Sequence, residues 1–582
     1  MITVAERLAQ PAETARRSPS QGWRRWAMAA GVPTVLTAAH AAYYRFWIVD
    51  DAGLSFAYAR SLATGAGPVL QAGADPVEGY SNPTWVAVLA GGRWLGLFDR
   101  GAWFGIPDVV LFPKLVALLC CLGIFAAMFA IASAVARHPV LVTIAAGSVT
   151  AAIPSFVIWT TSGLENALFA LAVMVLAVVL ARAAASGRLL DVDTALGAGG
   201  LAALAALTRP DGAIYVLAFP LAVALAMRRD DLRRSVKACA VGLVAFAVPI
   251  ATYLGWRLVT FGDYLPNPAR AKEQGLPTLT DLNKPAALIG YAGWLAVLLG
   301  IALVAVTLWR PSSTRTVVVA LLVPLGLAVT SFAFLQADWM AQYRFATPVW
   351  PLAAIVVAVA AAHVLQHSTT RTRVIAAALG TVAAISSVAG YAAAENAFRI
   401  APTTSICDIA QNTGYTFNGY ADVLGIRDGS LLAVDGGGTS LTSRLRFVDL
   451  SGLADRRIAR FWQDDDMTGL RNHIFDDLRP TFIKMFPGWS ERDRLALVED
   501  PRMARDYVLL RSGVPGSGHW VRRDALSDRG SLAAARQWGR EVSTLVESRY
   551  WNLPAPIWPC GDTLRPTQFR NGSPASSPIT ES

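Results

Sequence analysis

The stretch YYRFWIVDDAGLSFAYAR, residues 43 to 60, decides how the rest of the chain is read. It closes an apolar run that starts near Trp26 and is long enough to cross a bilayer. It then sets two adjacent carboxylates, Asp50 and Asp51, where such a helix would leave the hydrocarbon. Acids are costly inside a bilayer, so the pair marks a membrane edge. The sequence TAAHAA at 37 to 42 resembles a signal-peptide cleavage site. The apolar run continues past it through Tyr43 to Trp47, and many further runs follow, so an uncleaved helix is expected.

Outward from this edge the same pattern recurs. The chain has 582 residues, 54% of them apolar and 16% charged, with a mean hydropathy of +0.42. That is too apolar for an ordinary soluble protein of several domains and reads as a polytopic membrane protein. Apolar runs fall near 26 to 47, 110 to 136, 139 to 158, 163 to 185, 194 to 208, 212 to 228, 237 to 259, 286 to 308, 316 to 336, 345 to 366 and 372 to 393. About eleven transmembrane helices are therefore expected. The net charge of +10 could suggest nucleic acid, but most of the arginines sit in short connections between these runs. With the N-terminus in the cytoplasm, every one of those connections is cytoplasmic, which is the positive-inside pattern of an inner-membrane protein. Nucleic acid is not expected as a partner; the lipid bilayer is.

The opposite connections, VDDAGLSF, TTSGLENALF, LTRPDGAIY, FGDYLPNPARAKEQG and QADWMAQYRF, then share the outer face with everything after the last run. The expected organisation is a cytoplasmic tail over 1–22, a mainly α membrane domain over 23–395 and a small extracytoplasmic α+β domain over 396–565, with a polar tail over 566–582. Both tails have the composition of disorder. Residues 48–109 form a long first outer connection in which EGYSNPTWVAVLAGGRWLGLF reads as an amphipathic or re-entrant segment, with Trp85 and Trp94 at interface-like positions. In the last domain SLLAVDGGG, LRFVDLSGL and PTFIKMF read as strands, the first two ending in glycine turns, and SLAAARQWGREVSTLVE reads as a helix.

Polar residues gathered on one face of a membrane point to chemistry there. Adjacent acids perturb one another, so one of Asp50 and Asp51 can be poised as a base while the other binds or anchors. Arg209, Arg270, Lys272 and Arg344 lie in outer loops and would suit a phosphate or pyrophosphate group; simple snorkelling to headgroups is the plainer alternative. Tyr80, Asn82 and Trp85 have aromatic faces and hydrogen-bonding ends that could line a sugar site. Glu165, Asn166, Asp211, Asn267 and Asp338, also in outer connections, are further candidates for substrate binding. Trp462, Trp489 and Trp520 could bind acceptor glycan, although aromatic residues in a small domain are more often core. The five cysteines show no zinc spacing. Cys407 and Cys560 flank the last domain and would form a disulfide if that domain is outside the cell. A divalent cation held by Asp50, Asp51 and Glu165 stays open, because such sites have no diagnostic spacing; no other cofactor is implied.

In order, DDA, EGYSNPTW, SGLENALF, LTRPDG, FGDYLPNPARAK, DWM with RF, and VDLSGLADRRIAR resemble the actinobacterial GT-C glycosyltransferases. The resemblance is nearest to the arabinofuranosyltransferases that add terminal β-(1→2) residues to cell-wall arabinan. It covers about residues 26 to 490, and Ala337 stands where the family has glycine. It implies a GT-C membrane domain with an extracytoplasmic cap. It also implies a polyprenyl-phosphate-linked sugar donor, decaprenyl-phosphoryl-arabinofuranose for the nearest relatives, and a cell-envelope glycan acceptor. In such enzymes an acid of the first outer loop, here Asp50 or Asp51, is the catalytic carboxylate. A GT-C transferase of another sugar such as mannose, or a lipid-linked glycan transporter, are the alternatives.

Overall fold

The computed structural model describes residues 19–226, 231–271, 283–309, 311–336, 338–490, 495–513, 515–526 and 532–542. The N-terminal and C-terminal tails, Lys272 and Cys560 lie outside these residues. Cys407 is disulfide-bonded, whereas Cys120, Cys121 and Cys239 are free thiols.

Each apolar run of the sequence carries a helix. Six helices are long and apolar enough to cross a bilayer: Asp108–Val135, Asn166–Ala185, Leu232–Phe261, Ser313–Phe334, Val349–Gln366 and Thr370–Ile400. Two runs are broken instead, Pro139–Ala152 with Pro154–Thr160 bent by 79° and Asn283–Ala292 with Trp294–Trp309 bent by 96°. By length and composition the described residues therefore supply six spans, or eight if each bent pair is one, against the eleven expected. The shortfall has a physical source: Val192–Thr208 has 17 residues, a rise of about 25 Å against a core of about 30 Å. The first helix, Pro19–Ala42, ends five residues before the apolar run does. Residues 43–46 turn with Arg45 at φ 44°, which buries Tyr44 and Trp47 against Phe398.

Small residues let these helices approach closely, as lipid-embedded packing requires. A Cβ on Gly199 would stand 2.1 Å from the Gly242 carbonyl, so Val192–Thr208 and Leu232–Phe261 meet backbone to backbone. Elsewhere Leu232–Phe261 and Thr370–Ile400 expose Val244, Val248, Val382 and Ile385. Such rows are stable facing lipid and not water; the protein is a multi-pass membrane protein.

Within the first connection, the helix Ala52–Ala63 is followed by the helix Pro83–Trp94 and a small hairpin, β1 (Ala102–Trp103) with β2 (Ile106–Pro107). Trp94 is exposed as expected of an interface residue, but Trp85 is 2% exposed. Beyond residue 400 the chain forms a mixed five-stranded sheet from β3 (Ser430–Ala433), β4 (Arg446–Asp449), β5 (Phe482–Met485), β6 (Tyr507–Ser512) and β7 (Gly518–Arg522), in the order β4-β3-β5-β7-β6. β3 pairs in parallel with β4 and β5; β7 is antiparallel to both β5 and β6. Alternation along the strands sends Leu431, Ala433 and Phe482 to one side and Leu432 and Ile483 to the other, each into its own apolar cluster. After β3 the expected glycine turn is instead a short helix, Gly436–Thr442.

Candidate active site

Residues 48 to 50 run extended between two distant parts of the chain. On one side the Val49 N–H donates to the Ser162 carbonyl at 3.0 Å. On the other the Asp50 N–H donates to Thr404 at 3.0 Å, and the Ile406 N–H donates to Ile48 at 2.9 Å. The acid pair is thus clamped between the turn before Asn166–Ala185 and the start of the C-terminal region.

The Asp50 carboxylate is 7% exposed. It accepts the backbone N–H groups of Gly437 at 3.2 Å and Gly438 at 2.7 Å. Only glycine permits this approach: a Cβ on Gly437 would fall 1.8 Å from the Asp50 carbonyl oxygen, and one on Gly53 would fall 2.6 Å from the Gly437 carbonyl carbon. Burial holds the Asp50 carboxyl well above its ordinary range, reinforced by the nearby Asp435 and Asp51 charges and opposed by the two N–H groups. Asp435 belongs to the same site. Burial raises its pKa, and Lys484 opposes the rise from 3.6 Å. Lys484 donates to the Thr413 hydroxyl, and burial pushes its own pKa down. Asp51 differs from both: it is half-buried and, among the described residues, its carboxylate has no hydrogen-bond or ion-pair partner.

One turn along Ala52–Ala63, the Ser55 hydroxyl donates to Asn82 Oδ1 at 3.2 Å, and Asn82 Nδ2 donates to Glu165 Oε2 at 2.7 Å. Glu165 Oε1 accepts from Arg209 at 3.0 Å, and Arg209 Nε donates to Asp211 at 2.9 Å. The Arg209 guanidinium lies over Phe169 and Phe345. Phe345 also receives Arg344, which pairs with Asp338 at 2.8 Å and stacks on Trp159. Asn166 Nδ2 donates to the Arg344 carbonyl and the Thr347 hydroxyl, both at 3.1 Å. Gln342 and Tyr343, immediately before Arg344, both hold left-handed backbone at φ 65° and 52°, a costly conformation for such residues. Arg344 and Asp338 line a cavity of about 470 Å³ with Lys284, Tyr291 and Gln336.

Seven of the sequence candidates, Asn82, Glu165, Asn166, Arg209, Asp211, Asp338 and Arg344, thus form one connected network, which meets Ala52–Ala63 at Ser55, one turn beyond Asp51. Others stand apart. Tyr80 is 5% exposed and packs edge-on against Tyr58. Trp85 is buried and donates to the Gly163 carbonyl at 3.0 Å; neither ring presents a face for a sugar. Asn267 is a clamp, its amide donating to the carbonyls of Gly452, Leu453 and Asp455. Arg270 pairs with Asp263 at 2.6 Å within its own loop. In the C-terminal region Trp462 and Trp489 pack on each other and Trp520 is buried, so these are core aromatics. The suggested cation site is not formed: both Glu165 oxygens are taken, and among the described residues no group of three His, Cys, Asp or Glu side chains is placed to hold a metal. Asp435, Lys484 and Lys284 were missed. For Asp435 a signal existed, since Gly436, Gly437 and Gly438 in succession indicate another backbone passing close by.

No protein-family model and no curated protein matches the sequence. Among solved structures, the archaeal oligosaccharyltransferase AglB from Archaeoglobus fulgidus in complex with an inhibitory peptide and a dolichol-phosphate is 10% identical, with 78% of this chain and 69% of that chain covered at a TM-score of 0.45. The Archaeoglobus fulgidus oligosaccharyltransferase in the apo form is 11% identical over 87% and 75%, with a TM-score of 0.49. The same enzyme tethered with an acceptor peptide containing the NVT sequon is 10% identical over 85% and 74%, with a TM-score of 0.47. Likeness at this level identifies neither a substrate nor an equivalent residue.

Proposed function

We propose that the protein is a membrane glycosyltransferase of GT-C type. In this reading it moves a sugar, arabinofuranose in its specific form, from a polyprenyl-phosphate donor to a cell-envelope glycan at the outer face of the cytoplasmic membrane. The orientation rests on the arginine-rich connections, and the donor class on the ordered motifs of the sequence. The observation that carries the reading is the Asp51 carboxylate, which has no hydrogen-bond or ion-pair partner among the described residues. It lies just past the first apolar run, beside the buried acids Asp50 and Asp435, one turn from the network that holds Arg209 and Arg344.

The chemistry follows from those positions. A lipid tail is held in the bilayer by about 0.8 kcal/mol per methylene, so the donor's reacting carbon is presented at the boundary rather than in bulk water. Asp51 accepts the proton of an acceptor hydroxyl. The hydroxyl oxygen bonds to the anomeric carbon as the carbon–oxygen bond to phosphate breaks, and the electron pair leaves with the lipid phosphate. Arg344 and Lys284, in the cavity beside Asp338, suit the charge that develops there. Asp50 acts as the anchor, since its oxygens are already committed to Gly437 and Gly438. Arg209, held by two carboxylates and two rings, fixes the wall between acid pair and cavity.

The test is transfer from synthetic polyprenyl-phosphoryl-arabinofuranose to a short arabinan in detergent, with the mannosyl donor in parallel. Asp51→Asn is expected to lower turnover by about 10²–10⁴-fold with an unchanged unfolding midpoint. Transfer of mannose alone would replace the sugar; no transfer from either donor, or an Asp51→Asn variant as active as the parent, would overturn the reading.

A further inference from the structure

The motif VDLSGLADRRIAR, residues 448 to 460, takes no part in the site above. It forms one wall of a separate cavity of about 670 Å³, closed on the other side by residues 70–77 and by Thr260 and Phe261 at the end of Leu232–Phe261. Phe447, which lines it, separates it from the acids around Asp50: its ring would stand 3.3 Å from a Cβ on Gly436, the neighbour of Asp435. The Phe447 N–H is held by Gln71 Oε1 at 3.0 Å, tying the two walls together.

Two of the four arginines that line this cavity are not matched by an acid or a carbonyl among the described residues. The helix Arg456–Gln463 has eight residues, three of them arginine. Arg456 and Arg460 lie at i, i+4, and Arg457 and Arg460 at i, i+3, spacings at which like charges oppose the helix. Arg456 is engaged with the Phe261 carbonyl and Arg457 with Asp477 at 2.8 Å. Arg460, and Arg446 on β4, have no ion-pair partner among the described residues. Two unpaired guanidiniums in one cavity are the forks that carboxylate or phosphate groups fill. Three acids, Asp75, Asp449 and Asp455, also line it against four arginines; Asp449 is held by Ser451 and Ala454, and the acids can accept hydrogen bonds from hydroxyls. With the Phe261 and Phe447 rings beside them, the lining matches an anionic oligosaccharide better than a lipid headgroup, which brings few hydroxyls for the acids and no sugar face for the rings.

We infer that this cavity binds a glycan carrying carboxylate or phosphate substituents, with Arg446 and Arg460 holding the anion. That this glycan is the acceptor for transfer rests on the proposed function; the binding itself does not. The experiment is calorimetric titration of the full-length protein in neutral detergent with tetragalacturonate, with a phosphorylated mannotetraose, with neutral maltotetraose and with glycerophosphoglycerol as a deacylated lipid headgroup. One or both anionic oligosaccharides are expected to bind, more weakly as salt rises from about 50 to 200 mM. The exposed double substitution Arg446→Gln, Arg460→Gln is expected to weaken that binding about tenfold or more while leaving maltotetraose titrations unchanged. Equal binding of maltotetraose, binding of glycerophosphoglycerol alone, or an unaffected double variant would each overturn the inference. Because no sugar transfer is measured, its failure is distinct from failure of the glycosyltransferase reading.

Discussion

Replacing Gly437 with alanine is expected to pull the C-terminal region away from the acid pair. The new methyl would lie 1.8 Å from the Asp50 carbonyl oxygen and 2.6 Å from an Asp50 carboxylate oxygen, and no flexible side chain is available to give way. Relief requires the backbone to move, which breaks the Gly437 and Gly438 hydrogen bonds to Asp50. Those bonds contribute about 1 kcal/mol each, and overpacking costs about 1–3 kcal/mol. The contact therefore loses roughly 3–5 kcal/mol. Sugar transfer and limited proteolysis read the outcome: turnover should collapse, and cleavage within 400–445 should accelerate while the membrane helices stay intact. Gly380→Ala, whose Cβ meets nothing within 4 Å, serves as a control for the chemistry of the substitution. Gly53→Ala addresses the same contact from the other side, so its combination with Gly437→Ala should be less than additive. A Gly437→Ala protein with parental turnover and parental digestion would refute the view that this approach positions Asp50.

Three further outcomes are expected. Arg209→Met leaves Glu165 and Asp211 buried without a counter-charge, at a cost of about 3–5 kcal/mol seen as a lower unfolding midpoint; Arg209→Lys should fold but lose transfer, since an ammonium cannot replace the planar fork. A midpoint unmoved by Arg209→Met would show that the network does not hold this wall. Asp449, buried at the end of β4, has its pKa raised by burial from the ordinary 3.8 to about 6, against hydrogen bonds from Ser451 and Ala454. A raised carboxyl contributes stability that is fully present below its unfolded value and lost as pH rises through the folded one. Stability of the C-terminal region should therefore fall by up to about 3 kcal/mol between pH 4 and pH 7; tryptophan fluorescence of the parent and of Asp449→Asn would detect the slope and its flattening, and a flat parent profile would contradict it. Asn267→Ala removes three hydrogen bonds to the segment Gly452–Asp455 and should increase hydrogen exchange there; unchanged protection would deny Asn267 its clamping role.

The apolar runs mark the helices because burial in lipid tolerates little else, and the first polar residues after each run mark its end. What the runs do not reveal is how far a helix extends once packed. Tyr44 and Trp47 read as the end of a span and are instead drawn into a turn against Phe398. Hydropathy is continuous across the breaks at residues 153 and 293, and only Pro154 and Gly293 mark them in the sequence. The network from Asn82 to Arg344 was recognisable as a set of polar residues in outer loops, but not as a chain of contacts. For Asp435 the three glycines that follow it signal a close backbone approach, but not that the approaching segment is Asp50, which depends on packing between segments far apart in sequence. Asn267, Tyr80 and Trp85 show the converse: residue types suited to sugars that tertiary structure uses for clamping and packing.

The extended segment at residues 48 to 50 has a consequence for biogenesis. Asp50 is among the first fifty residues to leave the ribosome, yet the groups that fix it, Thr404, Gly437 and Gly438, are made several hundred residues later. Synthesis proceeds from the N-terminus, so a nascent chain shorter than about 438 residues has its helices but no assembled acid cluster. The membrane helices are thereby made before the surroundings of Asp50 can close, and the acid cluster is among the last parts of the protein to assemble.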